Sequence, residues 1–238
     1  MEQAHIIRAF RFELTKVQAP AIRERVLTNL ANVSDALAAA VADGLGVEPP
    51  EPSPLALRPA KPEVTTSKSL SLFARPGDGR IAGRKVAILV AAGVDGAGAM
   101  AVHRALLAQG AAPRIVAARL GPVESATGDA LEPDATLETM PSCLFDAVVV
   151  PDGEGAAAAL SSLGHAVEFV KDQYRHCKAI LALGAGRTLL DKAGLPLGLD
   201  DAALIVAGPG KASASTKAFI AALAKHRNWY RAMDPPPV

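Results

Sequence analysis

Residues 84–98 have the sequence RKVAILVAAGVDGAG, and this stretch decides the fold of the chain around it. A continuous apolar run breaks into a glycine-containing turn, which leads into an alanine-rich segment. A short apolar run bounded by a turn and followed by a helical segment is typical of a strand buried on both faces of a parallel sheet. We therefore expect the first strand and helix of an α/β unit here.

Apolar runs of the same kind recur downstream, and most of them precede helix-like segments. They lie at residues 113–118, 145–150, 178–183 and 202–207. Strands that alternate with helices predict an α/β protein with a doubly wound, mostly parallel sheet. Turn residues and short polar-apolar alternations at 121–141 predict a small inserted hairpin.

Two helices of this sheet domain are predicted with defined bounds. The first covers residues 163–175. The second covers residues 213–227 and carries Phe219, Ile220 and Leu223 on one apolar face. Because apolar residues at this spacing form one stripe of a helix, we expect the three side chains to be buried against the sheet.

Residues 5–46 have the pattern of a small helical segment. Pro20 suits the first turn of a helix that runs to about residue 30, and Ser34 suits the N-cap of a second helix at 35–43. So short a segment buries too little apolar surface to offset its chain entropy. Its apolar face is therefore expected to dock on another surface.

A proline-rich stretch separates the helical segment from the sheet domain. Seven prolines between residues 47 and 83 predict an extended linker, within which the alternating segment 69–74 (SLSLFA) is expected to form a strand. The proline-rich end, residues 234–238, is expected to be disordered or draped over the surface. The expected organisation is a helical segment, a linker, a sheet domain and a tail, at 1–46, 47–83, 84–230 and 231–238.

Composition excludes several classes of partner. The 238 residues carry a net charge of +1 and no basic run, so we expect neither a nucleic acid nor a membrane partner. No apolar stretch is long enough to span a bilayer, and charged residues near the N-terminus argue against a signal peptide. These features predict a cytoplasmic protein. Two cysteines are too few for a disulfide framework.

The carboxyl ends of the predicted strands offer one weak candidate ligand site. Its residues are Gly93, Asp95, Gly96, Asp152 and Glu154. The glycines follow a G-x-x-G-x-G spacing instead of the dinucleotide fingerprint G-x-G-x-x-G, so a tight turn is favoured over a nucleotide or anion site. The two carboxylates after the third run would suit a shared proton or a metal, but without a nearby histidine they are more typical of a helix start.

The turn after the fourth run is where a nucleophile would lie in a hydrolase of this architecture. A nucleophile elbow presents Ser or Cys on a strained turn between strand and helix. Here the turn contains Gly184 and Ala185, so no catalytic residue is predicted. Cys177 precedes the same strand and is expected at its opposite end.

Two further patterns are rejected as sites. The sequence GPGK at 208–211 lacks the upstream glycine and the following Ser or Thr of a phosphate-binding loop. The five histidines are scattered, and none stands three or four residues from another histidine or a cysteine. No zinc site is therefore predicted.

The chain resembles one known family along almost its whole length. Residues 5–46 (HIIRAFRFELTKVQAPAIRERVLTNLANVSDALAAAVADGLG) are similar to the last helices of the core of large-subunit haem catalases of the hydroperoxidase II type. SLSLFARPGDG at 69–79 and RKVAILVAAGVDG at 84–96 are similar to that family's linker and to the start of its flavodoxin-like C-terminal domain. That domain is similar in fold to type 1 glutamine amidotransferases, whose elbow reads Ala-Ile-Cys-His-Gly. The matched cysteine falls on Gly184 and the histidine on Ala185, so the resemblance implies the fold without the hydrolase chemistry.

The large-subunit catalases that the chain resembles, called the parent enzymes below, disproportionate hydrogen peroxide on a haem held by a tyrosine. The family's proximal pattern, an Arg four residues before that Tyr, is not matched, because Val170 precedes Tyr174 and His226 precedes Tyr230 at this spacing. The resemblance therefore implies a chain without a haem site of its own. It implies a non-catalytic stabilising, assembly or chaperone-like domain, whose partner is a catalase core or a second copy.

Two alternatives stay open. One is a small cysteine-dependent hydrolase or deglycase that uses Cys143 or Cys177. The other is a binder of a small anion or a nucleotide at residues 93–98.

Overall fold

The computed structural model describes residues 2–54, 64–71, 74, 77–208, 211–233 and 236–238. These residues belong to two compact units, one within 1–76 and the other within 77–238. We call them the helical unit and the sheet unit.

Three helices build the helical unit, namely α1 (Glu2–Thr15), α2 (Pro20–Ala31) and α3 (Asp35–Leu45). Pro20 begins α2, and the Ser34 hydroxyl accepts a hydrogen bond from the Leu37 N–H at the start of α3, as predicted. Gly46 ends α3 in the left-handed conformation, with φ of 66°. The three helices enclose a small apolar core that includes Leu14, Leu27, Leu30, Ala38, Val41 and Ala42.

Arg11 fastens α1 to α3. Its guanidinium donates to the carbonyl of Ala40 and forms an ion pair of 3.0 Å with Asp43. A Cβ on Gly44 would overlap the Arg11 side chain. The glycine inside α3 is therefore explained by the close approach of a side chain from α1.

The segment expected as a strand at 69–74 is not one where it is described. Residues 68–70 form a turn closed by the Leu70 N–H and the Ser67 carbonyl, and Ala74 follows in a 3-10 turn. Residues 72–73 lie outside the described residues. Leu70 is 86% exposed, so the alternating pattern here does not reflect a buried sheet face.

The sheet unit contains a six-stranded parallel sheet, which confirms the predicted fold class. Its strands are β1 (Lys85–Leu89), β2 (Ala112–Ala117), β5 (Ala135–Thr136), β6 (Ala147–Val150), β7 (Ala179–Leu183) and β8 (Leu204–Ala207), in the order β5-β2-β1-β6-β7-β8. The inserted region also contains the expected hairpin, which pairs β3 (Val123–Glu124) with β4 (Ala130–Leu131). Strand β5 is not among the predicted strands, because two residues are too few to show an apolar run or an alternation of polar and apolar side chains.

Five helices cover the sheet: α4 (Gly96–Ala108), α5 (Glu154–Ser161), α6 (Gly164–Arg175), α7 (Arg187–Lys192) and α8 (Ala212–Ala224). Successive side chains of a strand point to opposite faces, and Val86 and Ile88 accordingly join one core with α4 and α8. Ala87 and Leu89 join the other core, with α6 and α7. The sheet is therefore doubly wound.

The remaining predictions concern the last helix and the tail. Phe219 and Leu223 are buried and Ile220 is half-buried, as expected for the inner face of α8. Residues 209–210 and 234–235 lie outside the described residues. Val238 packs against the second core, and its main-chain oxygen accepts a hydrogen bond of 2.6 Å from Arg175. No helix in the described ranges is both long and apolar enough to cross a membrane.

Candidate functional site

The strand order places a topological switch point between β1 and β6. The two strands are neighbours in the sheet, but the chain leaves β1 toward β2 and leaves β6 toward β7. Sheets of this architecture bind ligands in the crevice outside the carboxyl ends of such strands. The loops that follow β1 and β6, residues 90–95 and 151–153, therefore form the first candidate site.

Backbone fills this crevice. A Cβ on Gly93 would lie 3.3 Å from the Cα of Gly155. A Cβ on Gly153 would overlap the Gly93 carbonyl oxygen and lie 2.8 Å from the Cα of Val94. The N–H of Asp95 also donates to the Asp152 carbonyl oxygen at 2.8 Å. The two loops thus lie main chain against main chain, with no room for a ligand between them.

The five predicted site residues have different surroundings. Gly93, Asp95 and Asp152 meet at the crevice, whereas Gly96 is buried against Ser125 and Leu131 from the hairpin region. The Asp95 carboxylate caps α4 by accepting from the Gly98 N–H at 3.0 Å. Glu154 is exposed in the first turn of α5, where an acidic residue favours the helix dipole.

The turn after β7 has the shape of an elbow but no side chain to present. Residues Gly184–Gly186 form a 3-10 turn, with φ of 49° at Gly184. A Cβ on Gly184 would overlap the carboxylate of Asp152, at the end of the neighbouring strand. A Cβ on Gly186 would lie 2.7 Å from the Pro151 carbonyl oxygen. The carboxylate of Asp152 thus occupies the space of a nucleophilic side chain.

The same carboxylate occupies the position of an oxyanion. Oδ1 of Asp152 accepts hydrogen bonds from the Ala185 N–H at 2.8 Å and from its neighbour Gly153 at 2.7 Å. In a nucleophile elbow, the N–H of the residue after the nucleophile stabilises the oxyanion of the tetrahedral intermediate. Here that N–H already binds a negative charge of the protein. The turn is therefore built to hold a carboxylate instead of a reacting substrate.

Sequence reasoning named Asp152 and Gly184 separately and missed their contact. Part of this contact could be anticipated from the sequence, since Gly184 directly follows one predicted strand and Asp152 lies two residues after another. The contact itself requires that β6 and β7 be neighbours, which they are, with Val150 opposite Ala182.

A shallow groove lies beside the crevice, at the carboxyl ends of β1 and β2. Its volume is about 620 Å³. Its walls are mostly apolar, and the charged residues among them are Arg119 and Glu124. A ligand pocket normally combines apolar walls with several convergent polar groups, and this groove has few.

Both cysteines lie at the opposite, amino-terminal edge of the sheet. Cys143 is exposed in the 3-10 turn Ser142–Leu144. Cys177 is 4% exposed, between α6 and β7, with φ of 60°. The two thiols line one cavity of about 440 Å³ together with His176 and three cationic side chains. They lie far from the elbow turn in the topology, because it follows the carboxyl end of β7.

A buried ion pair lies at the same amino-terminal edge of the sheet. Arg231 and Asp201 have side chains 2% and 7% exposed, and the Arg231 Nε lies 2.5 Å from the Asp201 carboxylate. Arg231 also donates to the Lys178 carbonyl at 2.6 Å and lies 4.6 Å from the ring centre of Tyr174. The pair thus fastens the 3-10 turn Trp229–Arg231 to the starts of β7 and β8.

The ionisation of this pair follows from its contacts. Burial acts to raise the pKa of Asp201, but hydrogen bonds and charge from Arg231 outweigh it, so that the pKa lies below its usual range. Burial is the main reason that the pKa of Tyr174 is raised.

The described residues contain no group of three or more His, Cys, Asp or Glu side chains that would hold a metal ion.

Two family models match the chain. Residues 82–233 match the model described as the C-terminal domain found in long catalases. Residues 1–45 match the model described as catalase-related immune-responsive. The boundary between the two matches lies in the proline-rich stretch.

Curated proteins similar to the chain are catalases. Catalase HPII of Pseudomonas putida is 38% identical over 232 residues, which cover 97% of this chain and 31% of that protein. Catalase HPII of Mycobacterium avium is 39% identical over 252 residues, which cover 100% of this chain and 34% of that protein. Catalase C of Rhizobium meliloti is 35% identical over 231 residues. The chain spans about a third of the length of these relatives.

Proposed function

The chain belongs to the family of C-terminal domains found in long catalases, and on that premise we propose that it is the non-catalytic portion of an enzyme that disproportionates hydrogen peroxide to water and oxygen. Its part in that enzyme is to stabilise or assemble the catalytic core. A cytoplasmic location is included in the proposal, because two cysteines are too few for the disulfide framework typical of a small secreted domain.

The observation that carries this proposal is the Asp152 carboxylate at the elbow turn. It overlaps the space of a side chain at residue 184 and binds the Ala185 N–H. An acyl-transfer enzyme needs that space for its nucleophilic side chain and that N–H for the oxyanion of the intermediate. The chain retains the architecture of such an enzyme and uses the turn for hydrogen bonding within the fold.

Haem supplies the peroxide chemistry when it is bound in the parent enzymes, but the residues described here do not suit it. A haem needs an axial ligand that faces an apolar slot. Tyr174 is buried, and the Arg231 guanidinium lies over its ring, while Tyr230 is 84% exposed. The groove of about 620 Å³ has no His, Tyr, Cys or Met among its lining residues. We therefore assign haem binding to the two-thirds of the relatives that this chain does not match.

The helical unit offers apolar surface for a partner. Ile6, Phe12 and Val33 are 47%, 64% and 76% exposed. Ile6 and Leu37 line an apolar groove of about 210 Å³ between the helices. Because a core of six buried residues is small for an independent domain, we propose that this surface docks on a catalase core. The other partner to test is a second copy of the chain.

A spectrum tests the catalytic part of the proposal. The purified chain is expressed with haem supplied, and its visible absorption and oxygen release from peroxide are measured. We expect no Soret band and no oxygen. A Soret band with rapid oxygen release would show that the chain holds a working haem site and would overturn the proposal.

An association experiment tests the stabilising part. The Pseudomonas putida relative, shortened by the third that matches this chain, is mixed with the purified chain and analysed by size exclusion and by thermal inactivation. We expect co-migration and a longer half-life of activity. Ile6→Ser should weaken both effects, whereas Leu107→Ser, which removes a side chain 57% exposed on the sheet unit, should not.

The negative outcomes are informative as well. A folded chain that neither co-migrates nor lengthens the half-life would contradict an assembly role. Slower aggregation of an unrelated heat-denatured protein, without association, would assign a chaperone-like role instead.

A further inference from the structure

The cavity at the amino-terminal edge of the sheet is lined by three cationic side chains. Its volume is about 440 Å³, and Arg175, Lys178 and Arg227 contribute to its wall. The other lining residues are Cys143, His176, Cys177, Trp229 and Ala232. No carboxylate lies in this wall. The cavity is therefore positively charged.

Two of the three cations have no acidic partner. The Lys178 ammonium, in a residue only 4% exposed, donates to the Ser142 carbonyl at 2.9 Å. Arg227 donates to the His226 carbonyl at 3.1 Å. In the part of the chain that the structure describes, no carboxylate lies within ion-pair distance of either group. Their hydrogen bonds go to neutral carbonyl oxygens, and the Asp146 carboxylate attracts both charges from beyond ion-pair distance.

The nearby acids are engaged elsewhere. Asp146 pairs with Arg84 at 3.5 Å and with His226 at 3.6 Å. It also accepts from the Lys85 N–H. The third cation, Arg175, already pairs with the carboxylates of its own helix, which are those of Glu168 and Asp172. Lys178 and Arg227 are therefore the two cations of the cavity wall that form no ion pair among the described residues.

Burial is the main reason that the pKa values of both cations are lowered. Burial lowers the pKa of Lys178, and the charge of Arg227 lowers it further. Burial likewise lowers the pKa of Arg227, against an opposing effect of the Asp146 carboxylate. Burying a charge without a partner costs free energy, so a negative ligand in this cavity would stabilise both cations.

A buried acceptor lies beside the same lysine. Gln173 donates to the backbone carbonyl and the hydroxyl of Ser142, each at 2.9 Å, while its Oε1 is buried without a hydrogen-bond partner. Lys178 and Gln173 thus share one carbonyl, and Lys178 donates only one of its three N–H groups there. The ammonium retains capacity for a further acceptor.

We propose that this cavity binds an oxyanion of the phosphate type, either as free inorganic phosphate or as the phosphate group of a small metabolite. A guanidinium presents a planar set of donors that matches phosphate oxygens, and an ammonium adds a point charge. Trp229 at the wall, 36% exposed, provides an apolar surface for the remainder of an esterified ligand. This inference does not depend on the role of the chain in catalase.

The position of Trp229 makes the proposal directly testable. It is the only tryptophan in the chain, so its fluorescence reports on this cavity alone. The chain is titrated with inorganic phosphate and, separately, with ribose 5-phosphate, at an ionic strength held constant with sodium chloride. We expect a saturable change in emission and a rise in melting temperature, because a ligand that binds only the folded state stabilises it.

Matched variants separate a site from general attraction of anions. Arg227→Gln should weaken the apparent affinity about tenfold or more, as expected for losing one charge-assisted contact. Lys225→Gln removes the same charge from an exposed position two residues away and should change affinity less than about twofold. If Arg227→Gln does not fold by circular dichroism, Lys178→Met takes its place.

The outcomes decide the proposal and the source of the anion. A response to phosphate alone assigns free phosphate, and a response only to ribose 5-phosphate assigns an esterified ligand. The absence of a saturable response in the folded wild type would overturn the proposal. Equal losses in Arg227→Gln and Lys225→Gln would do so too.

Discussion

The carboxylate of Asp152 occupies the space into which a side chain at Gly184 would project. The two residues follow neighbouring strands, and Asp152 accepts a hydrogen bond from Ala185, the residue after the glycine. A glycine is required at 184 for two reasons, its φ of 49° and the absence of room for a Cβ. The contact ties the ends of β6 and β7 together and closes the position where this architecture would hold a nucleophile.

Substitution of Gly184 is therefore expected to destabilise the sheet unit. Gly184→Ala should lower the free energy of unfolding by about 1–3 kcal/mol, because the new methyl group overlaps a carboxylate. Urea denaturation measures the loss. The control is Gly164→Ala at the start of α6, where nothing lies within 4 Å of a Cβ and the change should be neutral or slightly stabilising. Equal effects at the two positions would contradict the proposed overlap.

A double-mutant cycle tests the contact itself. Asp152→Ala alone should cost about 1–3 kcal/mol, because it leaves the Ala185 N–H without its acceptor. In that background Gly184→Ala should cost less than it does in the wild type, since the overlapping group is gone. Residues in contact give non-additive changes, so additive losses would argue against the contact.

Removing one partner of the buried ion pair should be costly. Arg231→Ala is expected to lower the free energy of unfolding by about 3–5 kcal/mol, because it leaves the Asp201 carboxylate buried without its partner. The control is Arg80→Ala in the exposed pair with Asp78, whose side chains are 77% and 57% exposed. An exposed pair of this kind contributes little to stability, so this variant should unfold almost like the wild type. Similar melting temperatures for the two variants would contradict a structural role for Arg231.

Stability should also depend on pH through Asp201. Its pKa is depressed in the folded state, so its contribution is present above the unfolded value of about 3.9 and is lost as the pH falls through the folded value. The stability difference between the wild type and Asp201→Asn should therefore be larger at about pH 6 than at about pH 3. Urea unfolding at both pH values measures it, and a constant difference would exclude this linkage.

The two thiols should differ in reactivity. Cys143 is exposed and Cys177 is buried, so a thiol reagent should modify one cysteine in the native chain and the second only after unfolding. Cys143→Ser should abolish the native reaction. A nucleophilic cysteine of a hydrolase reacts much faster than a free thiol. Modification of Cys143 at a rate near that of free cysteine would therefore count against the hydrolase alternative.

Much of the fold is visible in local sequence patterns. The runs that became β1, β2, β6, β7 and β8 are recognisable because strands buried on both faces are continuously apolar. The helical region after β6 is predicted only in part. The chain forms α5 and then α6, interrupted at Ser162 and Leu163, whereas the predicted bounds described only the second helix. Strand β5 depends on a neighbour, β2, and has too few residues to be recognised alone.

The sequence by itself determined the class of fold, the helix N-cap at Ser34, and the absence of a nucleophile at residues 184 and 185. Each of these follows from interactions within a few residues or from side-chain identity. Only the tertiary structure decided that Asp152 fills the elbow, that Gly93 and Gly155 close the crevice, and that Lys178 and Arg227 share one cavity. These contacts join residues far apart in sequence, and their distances depend on the strand order and on how closely two backbones approach, which no local pattern encodes.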